Sequence, residues 1–222
     1  MTLRQRIVAC ERCPRLRAHC REVARVKRRA YQDEAYWGRP VPPFGVRSPR
    51  LLVVGLAPGA HGANRTGRIF TGDGSGDWLY RALHEHGFAN RAESTRKGDG
   101  LKLVDTIVTC VARCAPPQNR PSAVELDACR PWLVEEIRSY RRVAVVVALG
   151  KIGFDGLRRA WAEAGRAPFT PRPAFGHGAQ FESGAVTLLA SYHPSRQNTR
   201  TGKLTRAMFH GVFRRARRIL GA

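Results

Sequence analysis

The sequence predicts an α/β protein, a three-layer α/β/α sandwich around a four-stranded parallel sheet, in one domain spanning residues 1–222. Three observations carry this. Short, wholly apolar runs such as Leu51–Leu56 and Val143–Leu149 suit strands buried on both faces. Segments with helical apolar spacing separate those runs, and strands alternating with helices make parallel sheets covered on both sides. Nearly every unusual residue falls in a loop after a strand candidate, where ligand sites of such sheets collect.

In chain order, residues 15–29 are very basic and helical in spacing, anchored by Leu16, Val23 and Val26. Residues 40–49, PVPPFGVRSP, form a proline-rich loop in which no helix persists. Leu51–Leu56 is the first strand. Ser75 to Gly87 suits a helix, with Trp78, Leu79 and Leu83 on one face and Gly87 at its end. Leu101–Thr109 is the second strand, after a polar loop over residues 90–100. Ser122 and Glu125 make a capping box for a helix over 122–140, with Val124, Leu133 and Ile137 as its apolar face. Val143–Leu149 is the third strand and Lys151–Ala164 a helix. Residues 165–182 read as a long loop, Ala185–Ala190 as the fourth strand. Lys203–Leu220 is an amphipathic last helix, with Met208, Val212 and Ile219 inward and arginines outward.

Composition narrows the function. The 222 residues carry a net charge of +22, from 39 Lys and Arg against 17 Asp and Glu. No acid follows Glu182, whereas Arg196, Arg200, Lys203, Arg206, Arg214, Arg215, Arg217 and Arg218 all do. Such asymmetry points to a polyanion, because neutralising phosphates releases counterions. Genomic drift toward arginine is the competing explanation. No run approaches the ~20 apolar residues of a membrane span, and MTLRQRIVAC lacks the apolar core of a secretion signal. An intracellular protein is expected, with no membrane partner, and its six cysteines read as metal or redox groups before disulfides.

Three constellations carry chemistry. Residues 55–76, GLAPGAHGANRTGRIFTGDGSG, hold seven glycines and one acid, Asp73. Glycine admits positive φ and lets backbone approach a ligand, so the lone carboxylate is a candidate for catalysis; its competing role is that of a turn aspartate. Cys10 and Cys13 form C-x2-C, and Cys114 and Cys129 lie fifteen apart across a proline loop and a helix. Four thiolates suit zinc or an iron–sulfur cluster, and the spacing leaves both open. Residues 191–202, SYHPSRQNTRTG, open at a strand end with His193 and offer side chains that hydrogen-bond phosphates. The P-loop pattern G-x-x-x-x-G-K-[ST] is missing, which argues against phosphoryl transfer. A non-catalytic nucleic-acid-binding module with a structural metal, and a redox protein, are the rival classes.

GLAPGAHGANRTGRIFTGD, the four cysteines, CAPPQNRP and SYHPSRQNTRTGKLT together resemble the uracil-DNA glycosylase superfamily, and within it the iron–sulfur-containing family 5, or type B. The match runs from Cys10 to the last helix. The resemblance implies a [4Fe-4S] cluster on Cys10, Cys13, Cys114 and Cys129, held partly by an N-terminal cluster-binding segment. It implies a monofunctional glycosylase that hydrolyses the N-glycosidic bond of uracil, and of other deaminated or damaged bases, in DNA and leaves an abasic site. A monomer is expected. Where many relatives carry a water-activating polar residue after the first glycine, this chain has Leu56; where family 4 has an amide before its third cysteine, it has Cys110. The catalytic roles then fall to Asp73, His193 and Asn119. The base would meet Gly55, Leu56, Ala57, Pro58, Gly59 and the ring of Phe70. Arg65, Arg68, Ser195, Arg196, Gln197, Asn198 and Lys203 would hold DNA.

Overall fold

The computed structural model describes residues 1–221. Its centre is the parallel array the apolar runs require. β2 (Leu51–Gly55), β3 (Thr106–Cys110), β4 (Val145–Leu149) and β6 (Val186–Ser191) are hydrogen-bonded in the order β3-β2-β4-β6, all parallel. Every residue of β2, β3 and β4 is buried, as strands covered on both faces must be. The sheet has six strands, not four. β1 (Phe44–Gly45) adds antiparallel to β3, and β5 (Gln180–Ser183) antiparallel to β6. Both edges were read as loops: β1 is two residues long, and β5 is a short edge strand with an exposed end.

Side chains alternate across the strands, which divides the core in two. Leu51, Val53, Val108 and Val147 face one layer, packing with Leu79, Leu83, Phe209 and Phe213. These come from α4 (Gly74–Glu85) and α8 (Arg206–Ile219). Leu52, Val54, Ile107, Val146 and Ala148 face the other layer. There Leu133 and Ile137 of α5 (Ala123–Ser139) and Phe154 and Leu157 of α6 (Lys151–Glu163) cover them.

The capping box at Ser122 and Glu125 forms and starts α5. Val124 does not face the core; it is 77% exposed. Nine residues separate it from Leu133, which at 100° per residue is half a turn out of phase. Ile219 is also largely outside, on the last turn of α8, while Val212 is buried. The second strand begins at Thr106, later than its apolar run, because Leu103 bridges Ala89 and Asp105 takes a φ of +48°. The basic helix is α2 (Pro14–Val26), preceded by a short helix α1 (Leu3–Val8). α3 (Ala63–Thr66) lies within the first glycine loop and α7 (Arg196–Arg200) within the last. No described helix is long and apolar enough to cross a membrane.

β2 lies in mid-sheet; the chain passes first to β3 on one side and then to β4 on the other. In parallel sheets such a reversal, at the carboxyl ends of β2 and β4, is where ligands bind. The 55–76 loop and Gly150 lie at those strand ends.

Candidate active site

Asp73 is the N-cap of α4. Its Oδ1 accepts the Gly76 N–H at 3.0 Å. Its other oxygen lies against the glycine turn before α3: a Cβ on Gly62 would stand 2.0 Å from Oδ2, and one on Gly59 2.8 Å. The loop therefore needs glycine to let the carboxylate in. Burial pushes the Asp73 carboxyl above its ordinary range, and hydrogen bonds from Gly76 and Ser75 and the Arg196 charge only partly oppose this. The turn-aspartate reading of Asp73 is met, since it caps a helix, while its second oxygen is seated in the glycine turn.

Phe70 is buried with a φ of +52°, a strained value for a bulky side chain. Its carbonyl lies where a Cβ on Gly76 would be, 2.0 Å away, so the first turn of α4 closes only on glycine. The ring fills the space over Gly55, where a Cβ would meet it at 2.7 Å. Its other neighbour is His193, ring centroids 5.8 Å apart and planes 29° apart. The loops after β2 and β6 thus meet at this pair. Burial lowers the His193 pKa to about 4, so at neutral pH the imidazole is uncharged and carries one N–H. Asn198 Nδ2 donates to the His193 carbonyl at 2.9 Å, and Ser195 caps α7 by accepting the Asn198 N–H.

Those two contacts make Ser195 and Asn198 builders of the loop. Arg196, Gln197 and Lys203 are exposed, with the Lys203 Nζ 5.1 Å from the Tyr192 ring centre. Gly55 and Pro58 are buried, and Leu56, Ala57 and Gly59 half-buried beside them. Asn119 is exposed in a turn after β3, at a φ of +57°. Its side chain makes no hydrogen bond to Asp73 or His193.

Arg65 and Arg68 correct the expectation placed on them. Both are buried. Arg65 pairs with Glu34, stacks on the Tyr31 ring at 3.9 Å and donates to the His61 and Gly72 carbonyls. Arg68 forms a two-point pair with Asp99 at 2.8 and 2.5 Å and also donates to Thr71 and Ser94. Their charge is spent inward, on bracing the loop. His61 lies in the same turn, with Nδ1 3.1 Å from the Tyr36 hydroxyl.

Cys10, Cys13, Cys114 and Cys129 line one small cavity, with Leu16, Arg17, Pro40 and Arg113 around it. They come from the α1–α2 junction, the loop after β3, and α5. Cys129 Sγ accepts the Arg113 N–H at 3.3 Å, and the Arg113 side chain is held by Glu136 at 2.8 Å. Burial pushes the Cys13, Cys114 and Cys129 thiols up, Cys129 to about 11; for Cys114 the largest cause is a contact with Cys20. Cys20 packs behind Cys114 and does not line the cavity. Among the described residues, no three His, Cys, Asp or Glu side chains are grouped to hold a single metal ion.

Comparison with known proteins matches residues 42–217 to the model of the uracil DNA glycosylase superfamily. The chain belongs to the uracil DNA glycosylase superfamily. The matched span contains both loops just described. The type-5 uracil-DNA glycosylase of Mycobacterium tuberculosis (strain CDC 1551 / Oshkosh) is 50% identical over 217 residues, covering 97% of this chain and 80% of that protein. That of Thermus thermophilus is 48% identical over 221 residues, covering 98% and 96%. That of Pyrobaculum aerophilum is 44% identical over 211 residues, covering 95% and 89%.

Proposed function

We propose that this chain hydrolyses the N-glycosidic bond of deoxyuridine in DNA, releasing uracil and leaving an abasic site. The observation that carries the reading is the seating of Asp73 against the Gly59–Gly62 turn on one side of the site and of His193 against Phe70 on the other. The superfamily match and the activity for which the relatives are named agree with it.

A stacked base is out of reach, so the nucleotide turns out of the helix at a cost of a few kcal/mol, least where pairing is weak. Arg196, Gln197 and Lys203 hold flanking phosphates. The base enters beside Phe70 and the backbone of Leu56–Gly59. As the bond breaks, positive charge grows on the sugar and negative charge on the base. Asp73, as carboxylate, stabilises the first and orients or deprotonates water through Oδ2, since Oδ1 serves the helix cap. His193, neutral, donates its N–H to a base carbonyl and stabilises the leaving anion. Asn119 lies outside this arrangement as the loop stands, and its contact with base or water requires the 117–120 turn to close over the substrate.

Acceptance of other deaminated or damaged bases forms part of the proposal. Its support is Cys110, a buried thiol at the end of β3 that offers no amide to read a base edge. A [4Fe-4S] cluster on Cys10, Cys13, Cys114 and Cys129 is the further part. A single zinc needs its four donors around one point. A cluster spreads its thiolates over separate irons, which suits four thiols lining a cavity. Once bound, it would tie the N-terminal helices to the β3–α5 connection.

Incubation with a uracil-containing duplex followed by alkali tests the activity. Strand scission at the uracil is expected; an uncut strand with DNA binding intact would favour a non-catalytic module.

A further inference from the structure

A large groove, about 910 Å³, lies between α1, α2 and the segment 36–42. Arg4, Arg17, Arg21, Arg25, Arg39 and Lys97 line it against a single acid, Glu11. Glu11 is taken by Arg17 at 3.3 Å and Arg21 at 2.6 Å, and Arg25 pairs with Glu22 at 2.7 Å. Among the described residues, Arg4, Arg39 and Lys97 have no carboxylate within salt-bridge distance, and all three are exposed. These three cations are therefore uncompensated.

Arg21 and Arg25, both exposed, stand one turn apart on α2, about 6 Å along its axis; Arg17, a turn earlier, is buried and donates to the Gly38 carbonyl at 3.0 Å. Two nucleotides rise about 6.8 Å along one strand of duplex DNA. Tyr36 and Trp37 add aromatic surface to the groove, and Trp37 sits between two cations, Lys97 Nζ at 4.9 Å and Arg39 at 6.0 Å from its ring centre. Basic grooves interleaved with aromatic rings follow nucleic-acid backbones.

The groove also connects to the site. Tyr36 lines it and meets His61 at 3.1 Å, and His61 is followed by Gly62, against which Asp73 is packed. We infer that this groove carries a stretch of DNA strand continuing from the excision site, held through its phosphates by the uncompensated cations of Arg4, Arg39 and Lys97, with the exposed Arg21 and Arg25 of α2 beside them. The inference rests on the proposed function for its substrate, and it adds a second contact surface, on the N-terminal helices, to the loop after β6.

The test uses the double variant Arg39→Glu/Lys97→Glu, both exposed residues outside the catalytic loops. Binding is measured by fluorescence anisotropy over a salt series on a short uracil duplex that ends just beyond the site and on duplexes extended to either side. In the native chain one extension should tighten binding by about tenfold and steepen the salt dependence, by close to one unit of slope per added phosphate contact. The variant should lose that gain and keep the short-duplex affinity and the single-turnover excision rate. Equal weakening on short and extended duplexes, or no weakening on either, would overturn the groove. A chain that excises nothing but still shows the extension effect, abolished in the variant, would refute the glycosylase reading and leave the groove standing.

Discussion

One carboxylate oxygen of Asp73 closes the first turn of α4 on Gly76, and the other faces Gly62 so closely that a methyl group there would stand 2.0 Å from it. A single side chain thus holds a helix with one oxygen and, in the proposed function, serves the reacting centre with the other. The two duties separate by substitution. Asp73→Asn keeps an oxygen for the cap and removes the charge. Its melting temperature should stay near that of the native chain while excision falls by about 10²–10⁴-fold. Asp73→Ala should lose both, with about 1 kcal/mol of stability gone with the cap. Denaturation and single-turnover excision on the same preparations check this; an active Asp73→Asn would remove the carboxylate from the chemistry.

His193 gives a pH signature. Its pKa is about 4 in the folded chain, below the ordinary 6.5 of an exposed imidazole. A depressed value means that the unfolded chain takes up the proton first. Stability from His193 is full above 6.5 and drains as pH falls toward 4. His193→Gln has no such proton to gain. The stability difference between native chain and variant, followed by urea denaturation, should shift against the native chain across that window and be flat from pH 7 to 8. A flat difference throughout would mean that the imidazole is not held in a desolvated place.

Arg68 and Arg196 should behave oppositely. Arg68→Met leaves Asp99 buried without its guanidinium, a loss of about 3 kcal/mol, or roughly 10 °C in melting temperature. Arg196→Ala, at an exposed position, should leave melting unchanged and weaken DNA binding with a smaller salt slope. Thermal melts and salt-dependent binding of the two variants decide between these roles.

The cavity ligands are tested by metal content. Protein purified without oxygen should be brown and hold iron and acid-labile sulfide in equal amounts. Cys129→Ser should lose both, whereas Cys20→Ser should keep them, since Cys20 lies behind Cys114 and not on the cavity wall. A colourless chain carrying zinc would overturn the cluster.

Much of the fold was legible because burial on two faces leaves a plain mark. β2 and β4 carry no polar side chain, and β3 and β6 only small hydroxyls among apolar residues, a pattern that suits strands covered on both sides. The edge strands β1 and β5 were not legible: each is short and half-covered, β1 takes its pairing from β3, more than sixty positions away, and β5 only folds back on β6 across a two-residue turn. The glycine loop announced Asp73 by isolation, and SYHPS announced His193 by its place at a strand end.

Residue type and spacing along the chain determined the layered architecture and the loops that hold the proposed site, since local apolar periodicity and glycine content are properties of consecutive residues. Which charges face DNA was decided only in three dimensions. Glu34 and Asp99 each lie thirty-one positions from the arginine they neutralise, and the fold alone turned Arg65 and Arg68 inward while leaving Arg39 and Lys97 in an open groove. A charge's role depends on the partner that reaches it, and that partner is set by folding, not by adjacency in the chain.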